Sequence, residues 1–292
     1  GLEATHDRIR GFHGSFRAAS EAIGRLKAHG ITVGCNTQIN ALSWRQLPQV
    51  MDHIIGQGAS HWQLQLTVAM GNAVDHPELL LQPYELAELY PLLASLYEPA
   101  LERGLLMVPG NNIGYFGPYE HLWRGGPDRT NHWLGCNAGQ NTIGLEADGT
   151  IKGCPSLPTK GYTGGNIRDR ALEDIWVNAP ELNFTRDRTV KDLWGRCASC
   201  YYADVCRAGC SWTTTVLLGK PGNNPYCHHR VLELEKEGKR ERVVRVQAAP
   251  GLPFDQGRFE IVEEPLSAPE VARAASTLPD PRGRAFKLPV LG

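Results

Sequence analysis

In the N-terminal third of the chain, apolar positions switch repeatedly between a helical and an extended period. Phe16, Ala19, Ile23 and Leu26 recur at helical spacing and Gly30 ends the stripe, which predicts a helix over 15–29. Residues 31–39 then alternate with period two, placing Ile31, Val33, Cys35, Thr37 and Ile39 on one face of a strand. Leu47, Val50, Met51, Ile54 and Ile55 predict the next helix, stopped near Gly58. Residues 61–70 repeat the strand pattern through Trp62, Leu64, Leu66, Val68 and Met70. Residues 83–103 read as a helix with a break or kink at Pro91 and Pro99, because proline removes an intrahelical donor. Residues 105–108 form a third strand. This alternation predicts parallel βαβ units, in an open sheet or a barrel.

From about residue 131 the pattern changes: cysteine, glycine and turn residues rise, and helical periodicity falls. Residues 138–152 predict a hairpin turning at Asp148-Gly149. Residues 169–176 predict a short helix carrying Leu172, Ile175 and Trp176, and residues 231–244 a charged helix. The stretch from Ala248 onward holds Pro250, Pro253, Pro265, Pro269, Pro279, Pro281 and Pro289, and predicts a loosely ordered extension.

Bulk composition narrows the function. A net charge of −1 argues against nucleic-acid binding through bulk electrostatics. No apolar run approaches the length that spans a membrane. The opening Gly1-Leu2-Glu3 carries no export signal, so the default compartment is the reducing cytoplasm. There, clustered cysteines bind metal more often than they pair.

Seven of the eight cysteines lie in the second half of the chain. Cys136 is followed by Gly149 after twelve residues and by Cys154 after four more. Cys197, Cys200, Cys206 and Cys210 follow with gaps of two, five and three residues, and Cys227 closes the set. Thiolates at such spacing suit a soft metal. Disulfides, structural zinc and iron–sulfur clusters compete for them. Zinc would need extra ligands such as His228 or His229, since seven thiolates do not divide into two complete four-cysteine sites. Short gaps let successive thiolates wrap an iron–sulfur cubane, with the small residues Ala198, Ser199, Ala208 and Gly209 leaving room for sulfide.

This cysteine pattern, with Gly165-Asn166-Ile167 leading to Ala171-Leu172-Glu173-Asp174-Ile175-Trp176, resembles the SPASM domain, the auxiliary-cluster extension of radical S-adenosylmethionine (SAM) enzymes. The stretch from Gly1 to Gly11, followed by Gly14-Ser15-Phe16, resembles the segment after the third barrel strand of those enzymes. The resemblance covers roughly residues 1–237. It implies an α/β fold: a partial (β/α) radical-SAM barrel over 1–118, a small cysteine-rich SPASM domain with a hairpin and short helices over 119–238, and a proline-rich extension over 239–292. It also implies two auxiliary 4Fe–4S clusters, with Cys136, Cys154 and Cys210 serving one and Cys197, Cys200, Cys206 and Cys227 the other. Some members add a cysteine six residues after the first; here that position is Thr142, so one iron is expected to take another ligand, such as Glu146, Asp148, water or substrate.

The family's three-cysteine loop, which holds the SAM-binding cluster, has no counterpart in these residues. The chain is therefore expected to be the C-terminal part of a longer enzyme, whose complete form uses SAM and a third 4Fe–4S cluster. Cys35, the remaining cysteine, reads as a buried, inert thiol. The resemblance implies hydrogen abstraction from a peptide or protein side chain, with a flavodoxin or ferredoxin as electron donor. Formylglycine formation, as in anaerobic sulfatase maturases, and metal-stabilised peptide binding without radical chemistry are the alternatives. The polar strand positions Asn36, Gln38, Gln63 and Gln65 are candidates to contact SAM, as is Arg10. Asn111, Asn112 and Tyr115 follow the third strand, where the loops of barrels carry function.

Overall fold

The computed structural model describes residues 1–125, 131–252 and 255–277. Three parallel strands, β1 (Gly34–Ile39), β2 (His61–Leu66) and β3 (Leu106–Pro109), lie in that order in one sheet. The helices Leu47–Gly56 and Leu86–Glu102 make the crossovers. They bury one face of the sheet: Ile39, Trp62, Leu64 and Leu66 pack against Leu47, Met51, Leu86, Leu89 and Leu93 in the main core. Each such side chain contributes about 1.5–3 kcal/mol when fully buried. The opposite face is polar. Asn36 pairs in register with Gln63, and Gln38 with Gln65. Asn36 Nδ2 donates to Gln63 Oε1 at 2.6 Å.

The sheet and its alternation agree with the sequence pattern, with three differences. β2 stops at Leu66, so Val68 and Met70 lie beyond the strand. β1 begins at Gly34, so Ile31 lies before it and is half exposed. Helix Leu86–Glu102 runs through both Pro91 and Pro99 without ending. Its apolar face, including Leu86, Leu89, Tyr90, Leu93 and Leu96, is buried, and that packing outweighs the loss of two backbone donors.

The cysteine-rich half contains an antiparallel sheet of β4 (Gly144–Leu145), β5 (Thr150–Lys152) and β6 (Thr163–Asn166). β4 and β5 form the expected hairpin, turning at Asp148-Gly149, where Gly149 adopts φ +92°. β6 is too short and glycine-rich to show a strand period. The expected short helix spans Leu172–Asn178.

Beyond Cys227 the structure corrects the sequence reading. The helix is His228–Lys236 only; Gly238, at φ +73°, turns the chain into β7 (Lys239–Gln247). β7 pairs antiparallel with β8 (Arg258–Pro265), so this stretch is a hairpin and not a loose extension. Charge hid the alternation: Glu241 and Val243 point inward, while Arg240 and Arg242 reach across to Glu264 at 2.7 and 2.9 Å. Val243 and Phe259 enter the main core, and the Gln82 side chain bonds the Val243 backbone N–H at 2.9 Å. A helix, Ala268–Thr277, follows. Pro253, Pro279, Pro281 and Pro289 lie outside the described residues. No helix among the described residues is long and apolar enough to cross a membrane.

Candidate metal centre

The loop after β3 carries the geometry toward the cysteines. Asn112 bonds both the N–H and the carbonyl of Leu66, at 3.0 and 2.9 Å, and closes the end of β2. The Gly114 N–H donates to the Tyr90 hydroxyl at 2.6 Å. Tyr115 is fully buried with φ +80°. Buried Glu120 holds it there, accepting from the Tyr115 N–H at 3.1 Å and the Trp133 N–H at 2.9 Å. Arg124 pairs with Glu120 at 3.4 Å and donates to the Ile113 carbonyl at 2.6 Å. Asn112 and Tyr115 thus work as braces; both side chains are spent on backbone groups.

Tyr115 touches both cysteine groups. Its hydroxyl accepts from the Cys210 N–H at 3.0 Å, and its carbonyl accepts from the Cys227 thiol at 3.7 Å. Between Cys206 and Cys210 the chain runs through Arg207, Ala208 and Gly209, all in the left-handed region at φ +48°, +64° and +66°. That turn lies between the two thiols. Cys206 shares a cavity of about 290 Å³ with Cys197, Cys200 and Cys227. Cys210 feels the charge of Cys136 instead, although Cys206 and Cys210 share one buried cluster with Tyr115 and Trp133, against which Cys136 and Cys227 pack.

The four-thiol cavity has the donors an anionic cluster needs. The Asn224 N–H donates to Cys197 Sγ at 3.4 Å. Asn224 Nδ2 and Arg230 Nε are buried, have no hydrogen-bond partner and belong to lining residues of the cavity. Unpaired buried donors are costly, and sulfur atoms of a cluster would satisfy them. Burial pushes the Cys206 thiol well up and Cys227 up to about 12. A metal must displace those protons on binding. No group of three or more His, Cys, Asp or Glu side chains among the described residues is set to hold a single ion. Thiols spread around a cavity suit a multi-atom cluster better than one zinc, whose thiolates all sit about 2.3 Å from the metal. His228, a candidate zinc ligand, is buried with its ring stacked on Tyr119 and tilted against Tyr90, and burial drives its pKa down to about 3. All eight cysteines are free of disulfides.

The second group is less complete. Burial raises the Cys210 thiol to about 11. Arg188 lies close: its guanidinium feels the charge of Cys136, Nη1 donates to Ser211 Oγ at 3.0 Å, and Nη2 is buried without a partner. Cys154 stays outside the buried cluster that holds Cys206 and Cys210 and has Cys136 packed against it. Its loop is nonetheless anchored. Buried Lys152 donates to the Leu157 carbonyl at 2.7 Å and pairs with Glu146 at 2.6 Å, while the Gly139 N–H bonds the Gly153 carbonyl at 2.9 Å. The expected substitute ligands are occupied: Glu146 by Lys152 and Thr159, and Asp148 by the Thr150 N–H. Thr142 Oγ1 donates to Asn141 Oδ1 at 3.4 Å.

On the other half of the molecule, Arg10, Asn36 and Gln38 line one cavity of about 450 Å³, together with Cys35 and His53. Gln63 and Gln65 are not among its lining residues but lie beside it in register. Cys35 is half-buried against the main core, and burial raises its thiol. The sequence reading missed Asn224, Arg230, Arg188 and Lys152. An Asn-Asn-Pro turn just before Cys227 was the available signal for Asn224.

The parallel sheet with its amide face, joined to this cysteine-lined centre, is similar to the arrangement in radical SAM proteins that carry a SPASM domain. Residues 136–201 match SPASM, an iron–sulfur cluster-binding domain. The chain is 24% identical over 251 residues to the pre-heme d1 synthase of Dinoroseobacter shibae, covering 78% of this chain and 59% of that protein. It is 26% identical over 146 residues to the mycofactocin maturase MftC of Mycobacterium ulcerans, covering 48% of this chain and 37% of that protein. Native anSMEcpe with bound AdoMet shares the fold, with a TM-score of 0.54 and 12% identity, covering 76% of this chain and 58% of that one. The chain thus spans about 60% of the length of the pre-heme d1 synthase.

Gly209 tests the turn between the two groups. A Cβ there would lie 2.7 Å from the Tyr115 ring and 2.8 Å from Asn224 Nδ2, on a backbone that disfavours it. Gly209→Ala is expected to lower both thermal stability and iron per chain after anaerobic reconstitution. Unchanged values for both would show that the turn does not position the thiols.

Proposed function

We propose that these residues form the SPASM-bearing part of a radical SAM enzyme that binds two auxiliary 4Fe–4S clusters. Cys197, Cys200, Cys206 and Cys227 hold one; Cys136, Cys154 and Cys210 hold the other, with an iron left for a non-cysteine ligand. The observation that carries this reading is the cavity where four thiols meet two unpaired buried donors, Asn224 Nδ2 and Arg230 Nε. When bound, such clusters supply one-electron acceptors. The protein's own part is to hold thiolates in two separate groups and to keep both beside the loop that leaves the sheet. Arg10, Asn36 and Gln38 offer a cation and amides suited to the carboxylate and hydroxyls of SAM. A flavodoxin or ferredoxin is the proposed electron donor.

For substrate, the resemblance favours a peptide or protein side chain, and the likeness to a mycofactocin maturase supports it. The longer match, to a pre-heme d1 synthase, favours a second reading in which the substrate is a tetrapyrrole. The likeness to anSMEcpe is one of fold and adds nothing to the formylglycine alternative.

Two measurements follow. Anaerobically reconstituted protein is expected to be brown, with about eight irons per chain, and Cys200→Ala is expected to lose about half of them together with thermal stability. Colourless protein holding zinc, or wild-type iron in Cys200→Ala, contradicts the assignment. Titrating an iron porphyrin into the reconstituted chain decides the substrate class. A saturable shift of its Soret band at one equivalent supports the tetrapyrrole reading; no shift, with peptide binding retained, supports the peptide.

A further inference from the structure

The four-thiol cavity has a charged wall that thiol ligation alone does not require. Arg230, on helix His228–Lys236, is 7% exposed. Its Nη1 donates to Asn223 Oδ1 at 2.5 Å and to the Asn224 carbonyl at 3.2 Å, so it fixes the turn that aims Asn224 at Cys197. Its Nη2 donates to Glu241 Oε1 at 2.7 Å. Its Nε has no partner, and Arg230 is one of the residues that line the thiol cavity. Glu241 lies on β7 and is 4% exposed, with Oε2 unpartnered. Outside this pair, Arg196 approaches Glu241 at 3.8 Å and is itself held by Glu237 at 2.8 Å and Glu263 at 2.6 Å. Buried charge, carboxylate and surface network therefore run in line from the thiols to the C-terminal hairpin.

A buried ion pair is weak evidence for stability, because desolvation offsets much of its attraction. Stability alone is thus a poor reason for a guanidinium against a thiol cavity. Its field there is strong, since the low-dielectric interior screens it little. A cluster gains one negative charge on reduction, so a nearby cation favours the reduced form. Glu241 both orients that cation and partly offsets it.

We propose that Arg230, oriented by Glu241 of the C-terminal hairpin, is a positioning residue that sets the reduction potential of the cluster held by Cys197, Cys200, Cys206 and Cys227. The proposal rests on the cluster assignment given above. It makes the hairpin an electrostatic part of the metal centre, although its own strands carry no cysteine.

The test is a potentiometric titration of the reconstituted 292-residue protein, followed by electron paramagnetic resonance and paired with iron analysis. The relevant signal is the one that Cys200→Ala removes. Arg230→Gln is expected to keep its iron and shift that midpoint to more negative potential. Arg230→Lys, which keeps the charge, is expected to return most of the shift. Glu241→Gln is expected to shift the midpoint the other way. Iron retained with midpoints unchanged in Arg230→Gln and Glu241→Gln overturns the proposal, even if both variants melt early. If Arg230→Gln loses its iron, Glu241→Gln decides by the same criterion. Iron loss in both makes the pair a folding element and overturns a tuning role. Wild-type protein that takes up no iron fails the underlying cluster assignment, which iron analysis tells apart from a failed shift.

Discussion

Tyr115 is the constraint on which both cysteine groups depend. It holds a left-handed backbone, which costs a non-glycine residue on the order of 1–3 kcal/mol. Burial of its ring contributes about as much in the other direction. The hydrogen bonds tip the balance. Glu120 takes the Tyr115 N–H, the hydroxyl donates to the Asn111 carbonyl and accepts from Cys210, and the carbonyl accepts from the His229 N–H and the Cys227 thiol. One residue thereby ties the loop after β3 to both cysteine groups.

The second constraint is the reversal at Arg207, Ala208 and Gly209. Cys206 and Cys210 are four positions apart in sequence and would sit together on one face of a continuous helix. The left-handed run breaks that helix, and the thiols face different neighbours: Cys206 feels Cys197, Cys200 and Cys227, and Cys210 feels Cys136. Trp133 braces the turn: its indole N–H donates to the Cys206 carbonyl at 3.2 Å while its ring packs edge-on against Tyr115. Burial keeps Cys206, Cys210 and Cys227 neutral in the absence of metal, so the cost of ionising them falls on cluster binding. The donors around the four-thiol cavity, including Arg230 with its tie to β7, lower that cost.

Much of this was legible in the sequence. Period-two alternation located β1, β2 and β3, because each buries one face under crossover helices. The cysteine spacing marked the region that matches an iron–sulfur cluster-binding domain over residues 136–201, because no packing role requires so many thiols within so few residues. What was lost has physical causes. Proline signalled a break in Leu86–Glu102 that tertiary burial overrode. Arginine and glutamate alternating along β7 looked like a solvated helix, because inward-facing Glu241 is polar and finds its partner, Arg230, on a different element. Arg188 and Lys152 act through burial, which no local pattern reveals. Of the residues after β3, Asn112 and Tyr115 spend their side chains on backbone groups, and Asn111 contributes its carbonyl to the Tyr115 hydroxyl.

The central claim is that the turn from Arg207 to Gly209 divides seven cysteines between two clusters. Anomalous diffraction at the iron edge, from crystals of anaerobically reconstituted protein, tests it most directly. The account predicts two separate iron peaks, one inside the cavity of Cys197, Cys200, Cys206 and Cys227 and one beside Cys136 and Cys210. A single peak spanning Cys206 and Cys210, or scattering that rises at the zinc edge instead, would contradict it.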